Sequence, residues 1–141
     1  MLRRILFFVV VTAGAVLAQS GSDACCRCEG GDRPRESRAA CLTAKEMRNQ
    51  LDHFEGLQPS GLGHGLNLNG TVVLDIRFDA EGKVVCSRAR SGHPIAISAA
   101  MHAIPKWSFK PVRSNGTTRG GCGPITIKYH LRDQGSSSEV Q

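Results

Sequence analysis

Two stretches of the chain alternate, with a period of two, between apolar positions and positions that are mostly polar. In the first, the apolar positions are Val72, Leu74, Ile76 and Phe78, and the polar-side positions are Thr71, Val73, Asp75 and Arg77. In the second, they are Ile125, Ile127, Tyr129 and Leu131, alternating with Thr126, Lys128, His130 and Arg132. A period of two over eight residues predicts a strand that buries one face. Each stretch is therefore expected to be a strand with one side in the core.

A turn and a weaker alternating run follow the first strand. The turn sequence is Asp-Ala-Glu-Gly at residues 79–82, where Gly82 tolerates a positive φ. Residues 83–91 then return as a second strand, which makes residues 71–91 a predicted β-hairpin. The expected inward residues of the returning strand are Val84, Ser87 and Ala89. Their uneven spacing predicts a β-bulge.

Two segments carry the spacing of amphipathic helices. Residues 43–54 begin with Thr43 and Glu46, the pair that forms a capping box. The apolar stripe of this segment is Ala44, Met47, Leu51 and Phe54. A second helix is predicted from Pro94, with Pro105 in its last turn. Its expected stripe is Ile97, Ala100, Ile104 and Trp107. Both stripes predict helices that pack one face on a sheet.

The order helix, strand, strand, helix, strand predicts an α+β fold. We expect two layers, in which a three-stranded antiparallel or mixed sheet is packed by two helices. If the third strand lies beside the first, its other side is an edge with unpaired main-chain groups. Such an edge is either protected or used for binding.

The N-terminal residues have the three parts of a secretory signal. Arg3 and Arg4 precede an apolar run from Ile5 to Ala18, which small residues end. The run has 14 residues, or roughly 21 Å as a helix, against a hydrocarbon core of about 30 Å. We therefore expect export and cleavage after Ala18, with an uncleaved inner-membrane anchor as the alternative. The predicted domains are a signal peptide at 1–18, a Cys-rich leader at 19–42, a folded domain at 43–132 and a disordered tail at 133–141.

The cysteines of an exported chain are expected to form disulfides. There are six of them, at Cys25, Cys26, Cys28, Cys41, Cys86 and Cys122. Cys86 is expected either to pair with Cys122 or to fasten the leader onto the sheet. The alternative hypothesis is a thiol-redox or metal-handling protein. In it, the four thiolates of Cys25, Cys26, Cys28 and Cys41 would bind Zn²⁺ or Cu(I).

Composition and charge exclude several classes of function. The formal net charge is +6 and aromatic residues make up 5% of the chain, which disfavours a stacking platform for nucleic acid. The five histidines share no ligand-like spacing, and no carboxylate pair or nucleophile has a catalytic context. We expect no enzyme activity, no metal site and no cofactor.

Several motifs in this order resemble the C-terminal domain of TonB-family energy transducers. They are Gly70-Thr71-Val72-Val73-Leu74, Asp79-Ala80-Glu81-Gly82-Lys83-Val84, Ser91-Gly92-His93-Pro94, Ala99-Ala100, Trp107-Ser108-Phe109-Lys110-Pro111 and the final Ile-x-Ile-x-Tyr strand. The similarity covers roughly residues 40–132, and Trp-x-Phe-x-Pro after an Ala-rich helix is its most specific part. The expected core anchors are Trp107, Phe109, Val72, Leu74 and Ile76.

The resemblance implies a periplasmic module that binds extended segments of outer-membrane receptors or other envelope proteins. Such a segment would add as a strand to the last strand of the domain. The matching positions here are Ile125, Thr126, Ile127, Lys128, Tyr129, His130 and Leu131. The same edge offers a route to a homodimer. The short apolar run and the lack of a Pro-rich stretch depart from the family, so we expect binding rather than energy transduction.

Overall fold

The computed structural model describes residues 39–59 and 65–141, and these form an α+β fold. The helices are α1 (Ala44–Gln50) and α2 (Pro94–Ala103), the latter continued by a 3-10 turn at Ile104–Lys106. The strands are β1 (Ala40–Cys41), β2 (Leu51–His53), β3 (Asn67–Phe78), β4 (Val84–Ser91), β5 (Ser108–Phe109), β6 (Val112–Ser114), β7 (Thr117–Arg119), β8 (Gly121–Arg132) and β9 (Ser137–Val140). The predicted fold class is confirmed at this level.

The main sheet is built around β3 and β8, which are antiparallel neighbours along their whole lengths. Their register runs from Asn67 opposite Arg132 to Phe78 opposite Gly121. β4 lies on the other side of β3. The other side of β8 pairs with β1 at its start and with β9 towards its end. The sheet therefore has five strands instead of the predicted three, although the third predicted strand does lie beside the first.

One face of this sheet carries the core. The alternating positions of β3 and β8 are buried as predicted, and so are the core anchors Trp107 and Phe109. The Phe109 ring stacks on Phe78 with centroids 4.6 Å apart. The Trp107 indole packs 5.0 Å from Phe54 and donates a 2.9 Å hydrogen bond to the Glu55 carbonyl. We call the opposite side of the main sheet, on which Asp75, Arg77 and Lys128 lie, the outer face.

The hairpin of β3 and β4 follows the sequence prediction closely. The Asp79 carboxylate accepts hydrogen bonds from the backbone N–H groups of Glu81 and Lys83, and Gly82 has φ +83°. The expected inward residues Val84, Ser87 and Ala89 lie opposite Phe78, Ile76 and Leu74. The register shifts twice along the pair, which confirms that β4 is bulged.

The first helix is shorter than predicted. The capping box is confirmed, because Thr43 Oγ1 accepts from the Glu46 N–H while the Glu46 carboxylate accepts from the Thr43 N–H. The helix nevertheless ends at Gln50, and Leu51–His53 pairs with β5 as a strand. Pairing with a segment distant in sequence thus outweighs a local stripe that extends to Phe54.

The second helix begins at Pro94 as predicted, and His93 caps it by accepting a hydrogen bond from the Ile95 N–H at 3.3 Å. Three residues of the predicted stripe, Ala100, Ile104 and Trp107, are buried, and the fourth, Ile97, is half-buried. The buried face is wider than predicted, because it also includes Ala96, Ala99 and Ala103. Small side chains allow the helix to approach its neighbours closely, which explains why the Ala positions face inward.

Three boundaries predicted from the sequence are wrong. Ser137–Val140, assigned to a disordered tail, forms β9, and Ala40–Cys41, assigned to the leader, forms β1. The first predicted strand begins at Asn67, four residues before the alternation that starts at Thr71. In each case a polar or Gly-containing segment pairs with an existing strand, because unpaired main-chain groups at an edge bind any extended segment nearby.

The connection between β5 and β8 contains a separate small hairpin. β6 and β7 pair only with each other in the part of the chain that the structure describes. Asn115 and Gly116 form its turn with φ of 51° and 76°, the conformation for which Asn-Gly is favoured.

Within residues 39–59 and 65–141, no helix is long and apolar enough to cross a membrane. The predicted signal peptide, residues 1–18, lies outside the described residues.

Candidate functional site

The residues predicted to bind a partner lie together on β8, as the alternation requires. Their side chains divide between the two faces. Ile125, Ile127, Tyr129 and Leu131 are buried in the core, whereas Thr126, Lys128 and His130 lie on the outer face, with Lys128 exposed. The main chain of β8 and these three outer side chains are therefore positioned to meet an incoming strand on the outer face.

The free edge expected along β8 is already covered by the chain itself. β9 pairs antiparallel with it from Ile127 opposite Val140 to His130 opposite Ser137. The Gln141 N–H extends this ladder by donating to the Thr126 carbonyl at 2.9 Å. At the start of β8, the Leu42 N–H donates to the Cys122 carbonyl at 2.8 Å. The expectation of an open edge is thus wrong, because the chain's own polar tail satisfies the unpaired groups.

The tail is held mainly through its backbone. Ser137 and Glu139 are exposed, while Ser138 and Val140 are half-buried on the core side. Ser138 Oγ accepts a 2.9 Å hydrogen bond from the Leu57 N–H, and Val140 packs against the core. Each main-chain hydrogen bond contributes a net stability of about 0.5–1.5 kcal/mol. A strand of four residues with one apolar contact is consequently among the parts of the sheet that open most readily.

A groove of about 590 Å³ follows the junction of β3, β8 and β9. Its outer-face lining consists of Asn69, Thr71, Lys128, His130, Ser137 and Glu139. Lys128 lies directly opposite Glu139 in the register, so residues of opposite charge occupy facing positions on the two strands. His130 Nε2 accepts a 2.8 Å hydrogen bond from Arg132 Nε. The groove thus combines a cation with several hydrogen-bonding groups beside the β8 edge.

The opposite edge of the sheet, β4, is built differently. Asp75 on the neighbouring β3 is 3% exposed. Its carboxylate contacts the Arg90 guanidinium at 2.6 Å and that of Arg88 at 3.6 Å. Both arginine side chains remain about half-exposed. Charged residues and bulges are devices that prevent pairing at an edge, so β4 is a poor place for strand addition.

Two of the cysteines that the structure describes are in disulfides. Cys41 and Cys86 are disulfide-bonded, as expected. Cys122 is buried, and Cys25, Cys26 and Cys28 lie outside the described residues. Because Cys41 is in a disulfide, it is not a thiolate ligand for the metal cluster of the alternative hypothesis. Among residues 39–59 and 65–141, no group of three His, Cys, Asp or Glu side chains is arranged to hold a metal ion.

Cys86 and Cys122 are too far apart to be paired with each other. Both lie directly opposite Arg77, on the two sides of β3. Two strand spacings separate their Cα atoms by roughly 9–10 Å, beyond the limit of about 7 Å for a disulfide.

Comparison of the chain with protein-family models, with curated proteins and with solved structures finds no match. The sequence reasoning missed two features of the site, the tail strand β9 and the Asp75 ion pairs. The sequence does contain a signal for the Asp75 ion pairs, because Asp75 is an outward position of β3 and the returning strand carries Arg88 and Arg90. It contains almost no signal for β9, since Ser-Ser-Glu-Val has little strand preference of its own.

Proposed function

We propose that this protein is a periplasmic, non-enzymatic binding module that captures extended segments of outer-membrane transport proteins by strand addition to β8. This is the role that the resemblance to TonB C-terminal domains implies. The observation that supports it is the position of β9, an extended segment held in regular antiparallel register at that edge. In this proposal the incoming segment takes the place of the tail.

The contacts of β9 indicate what a guest strand would require. Val140 and Ser138 face the core side, and Glu139 between them faces Lys128 on the outer face. A guest is therefore expected to carry a small residue, an acidic residue and an aliphatic residue in this order. Main-chain hydrogen bonds would supply affinity, and these three positions would supply selectivity.

Titration of isotope-labelled mature protein with synthetic N-terminal segments of outer-membrane receptors tests the proposal. We expect amide resonances of residues 124–131 to shift, together with those of 137–141 as the tail is released. Absence of binding at millimolar peptide would defeat the proposal. Sedimentation at the same concentrations separates guest capture from pairing of two copies through the same edge.

A variant that weakens the tail sharpens the test. The hydrogen bond from Gln141 to Thr126 implies, by the alternation of an antiparallel ladder, that the Glu139 N–H also points at β8. Glu139→Pro removes this donor and should increase guest affinity by roughly tenfold, the equivalent of about 1.4 kcal/mol. Glu139→Gln is the matched control, because it keeps the N–H and changes only the charge.

A further inference from the structure

A second cavity, of about 290 Å³, lies at the end of the sheet away from β9. It forms where the turn between β3 and β4 meets the junction of β7 and β8, and Ala39 also lines it. The two segments approach closely there, because a Cβ on Gly120 would lie 2.9 Å from Asp79 Cα and would clash with the Phe78 carbonyl oxygen. Small-molecule sites have volumes of roughly 300–1,000 Å³. The cavity is therefore of a size to hold a small molecule.

Two arginines from different elements line this cavity, Arg77 from β3 and Arg119 from the end of β7. Both residues are half-buried. None of the ion pairs among the described residues involves either guanidinium. The Arg119 Nε atom is buried and has no hydrogen-bond partner. Burial of a charged group without a partner is costly, and an oxyanion is the group with which a guanidinium forms its strongest hydrogen bonds.

The other walls of the cavity narrow the kind of anion. The Asp79 carboxylate also lines it, although one of its oxygens is engaged by two backbone N–H groups of its own turn, at 2.9 and 3.0 Å. Two arginines against one aspartate leave a single net positive charge, which favours a monoanion over a dianion. Val85 lines the cavity and is 56% exposed, and Ala39 and Ala80 add to this apolar surface.

We propose that this cavity is a binding site for a small aliphatic carboxylate. The guanidinium groups of Arg77 and Arg119 bind the carboxylate, whose two oxygens match the planar fork of a guanidinium. The aliphatic part of the ligand packs against the apolar wall. The site is separate from the edge proposed for strand addition, because β9 pairs with Ile127 to His130 near the other end of β8. The two proposals can therefore fail independently.

Titration of the isotope-labelled exported protein with butyrate at constant ionic strength tests the proposal. We expect saturable shifts of the amide resonances of residues 77–80 and 118–120, with a Kd on the order of 1–10 mM. Butyramide is the neutral isostere and should cause no shifts at about 50 mM. Inorganic phosphate should bind more weakly than butyrate. Equal shifts with butyrate and butyramide, binding of phosphate as tight as that of butyrate, or no saturable shift with butyrate would each overturn the proposal.

The apolar wall gives a second expectation. Affinity should rise from acetate through propionate to butyrate, by up to about fourfold for each methylene that packs against the wall. In Val85→Ser this rise should be reduced, while the affinity for acetate stays the same. Equal affinities for the three carboxylates in the wild type would contradict the aliphatic part of the proposal.

Removal of either arginine should weaken binding without loss of the fold. Arg119→Met and Arg77→Met should each raise the Kd for butyrate by at least about tenfold. The Tm without butyrate should not fall in Arg119→Met, because that guanidinium contributes no ion pair among the described residues. Arg113→Met is the matched control, since Arg113 is an exposed residue of the same small hairpin. Undiminished butyrate affinity in either cavity variant, or an equal loss in Arg113→Met, would overturn the proposal.

Discussion

The two edges of the main sheet are closed in different ways. The β4 edge is bulged at two points and exposes the charged side chains of Arg88 and Arg90. The β8 edge is covered by the four-residue strand β9. The first edge is closed by side-chain charge and distorted backbone, and neither can be exchanged for a guest. The second is closed by main-chain hydrogen bonds that any extended peptide can reproduce. In the proposed function, β4 is the blocked edge of the sheet and β8 is the edge at which a guest strand can replace the tail.

The start of β8 should tolerate substitution less well than the part that pairs with β9. A Cβ on Gly123 would clash with the Leu42 carbonyl oxygen and lie 2.7 Å from Met47 Cγ. Gly123→Ala is therefore expected to reduce the free energy of unfolding by about 2–3 kcal/mol. Urea denaturation measures this. Ser137→Ala, at an exposed position of β9, is the control and should change the stability little. A change of less than 0.5 kcal/mol (roughly the spread of neutral surface variants) for Gly123→Ala would contradict the packing of β1 and α1 against β8.

The ion pairs behind the blocked edge should contribute unequally. Arg90 contacts Asp75 at 2.6 Å and Arg88 does so at 3.6 Å. Replacing Arg90 leaves a buried carboxylate with its weaker partner only, so Arg90→Met should destabilise the fold by about 1–3 kcal/mol. Arg88→Met removes the longer of the two contacts with Asp75, so the loss of stability through that carboxylate should be smaller. A larger loss in Arg88→Met would reverse the assignment.

Weakening β9 should accelerate hydrogen exchange locally and change the global stability little. In Glu139→Pro, hydrogen exchange should accelerate at the Lys128 and His130 amides, which face β9, and not at Ile127 and Tyr129, which face β3. We expect acceleration of about tenfold, with global stability lowered by roughly 1 kcal/mol or less. Uniform acceleration along β8 would mean that the tail is integral to the sheet and not separately displaceable.

The smallest expected effect belongs to the cap of α1, next to the start of β8. Hydrogen bonds from the backbone N–H and the hydroxyl of Thr43 lower the pKa of Glu46 below its ordinary value of 4.5. A depressed carboxyl pKa stabilises the fold above that value, and the contribution is lost as the pH falls through the folded-state pKa. The Tm difference between wild type and Glu46→Gln should thus be present at pH 7 and shrink at pH 3. A difference that is constant with pH would rule out a charged cap.

Sequence reasoning succeeded where the controlling interactions are local. The alternation in β3 and β8, the Asp79–Gly82 turn, the Thr43 cap and the Pro94 helix start each depend on residues a few positions apart, and each is confirmed. The spacing of Val84, Ser87 and Ala89 even predicted the bulged strand.

The failures involve partners distant in sequence. Leu51 leaves the helical stripe because β5 offers it a ladder, and Ser137–Val140 becomes a strand because β8 presents unpaired groups. The tail's own residues give little indication of this. The prediction that the β8 edge is open was wrong for the same reason, since the strand that pairs with it comes from a segment outside the predicted domain.

The small hairpin of β6 and β7 has a practical consequence. Its tip, Asn115-Gly116, is exposed and already in the backbone conformation of a tight two-residue connection. Loop tips of this kind are preferred sites for tolerated insertions. An affinity tag or a fluorescent label placed there would mark the molecule while leaving β9 in its place beside β8.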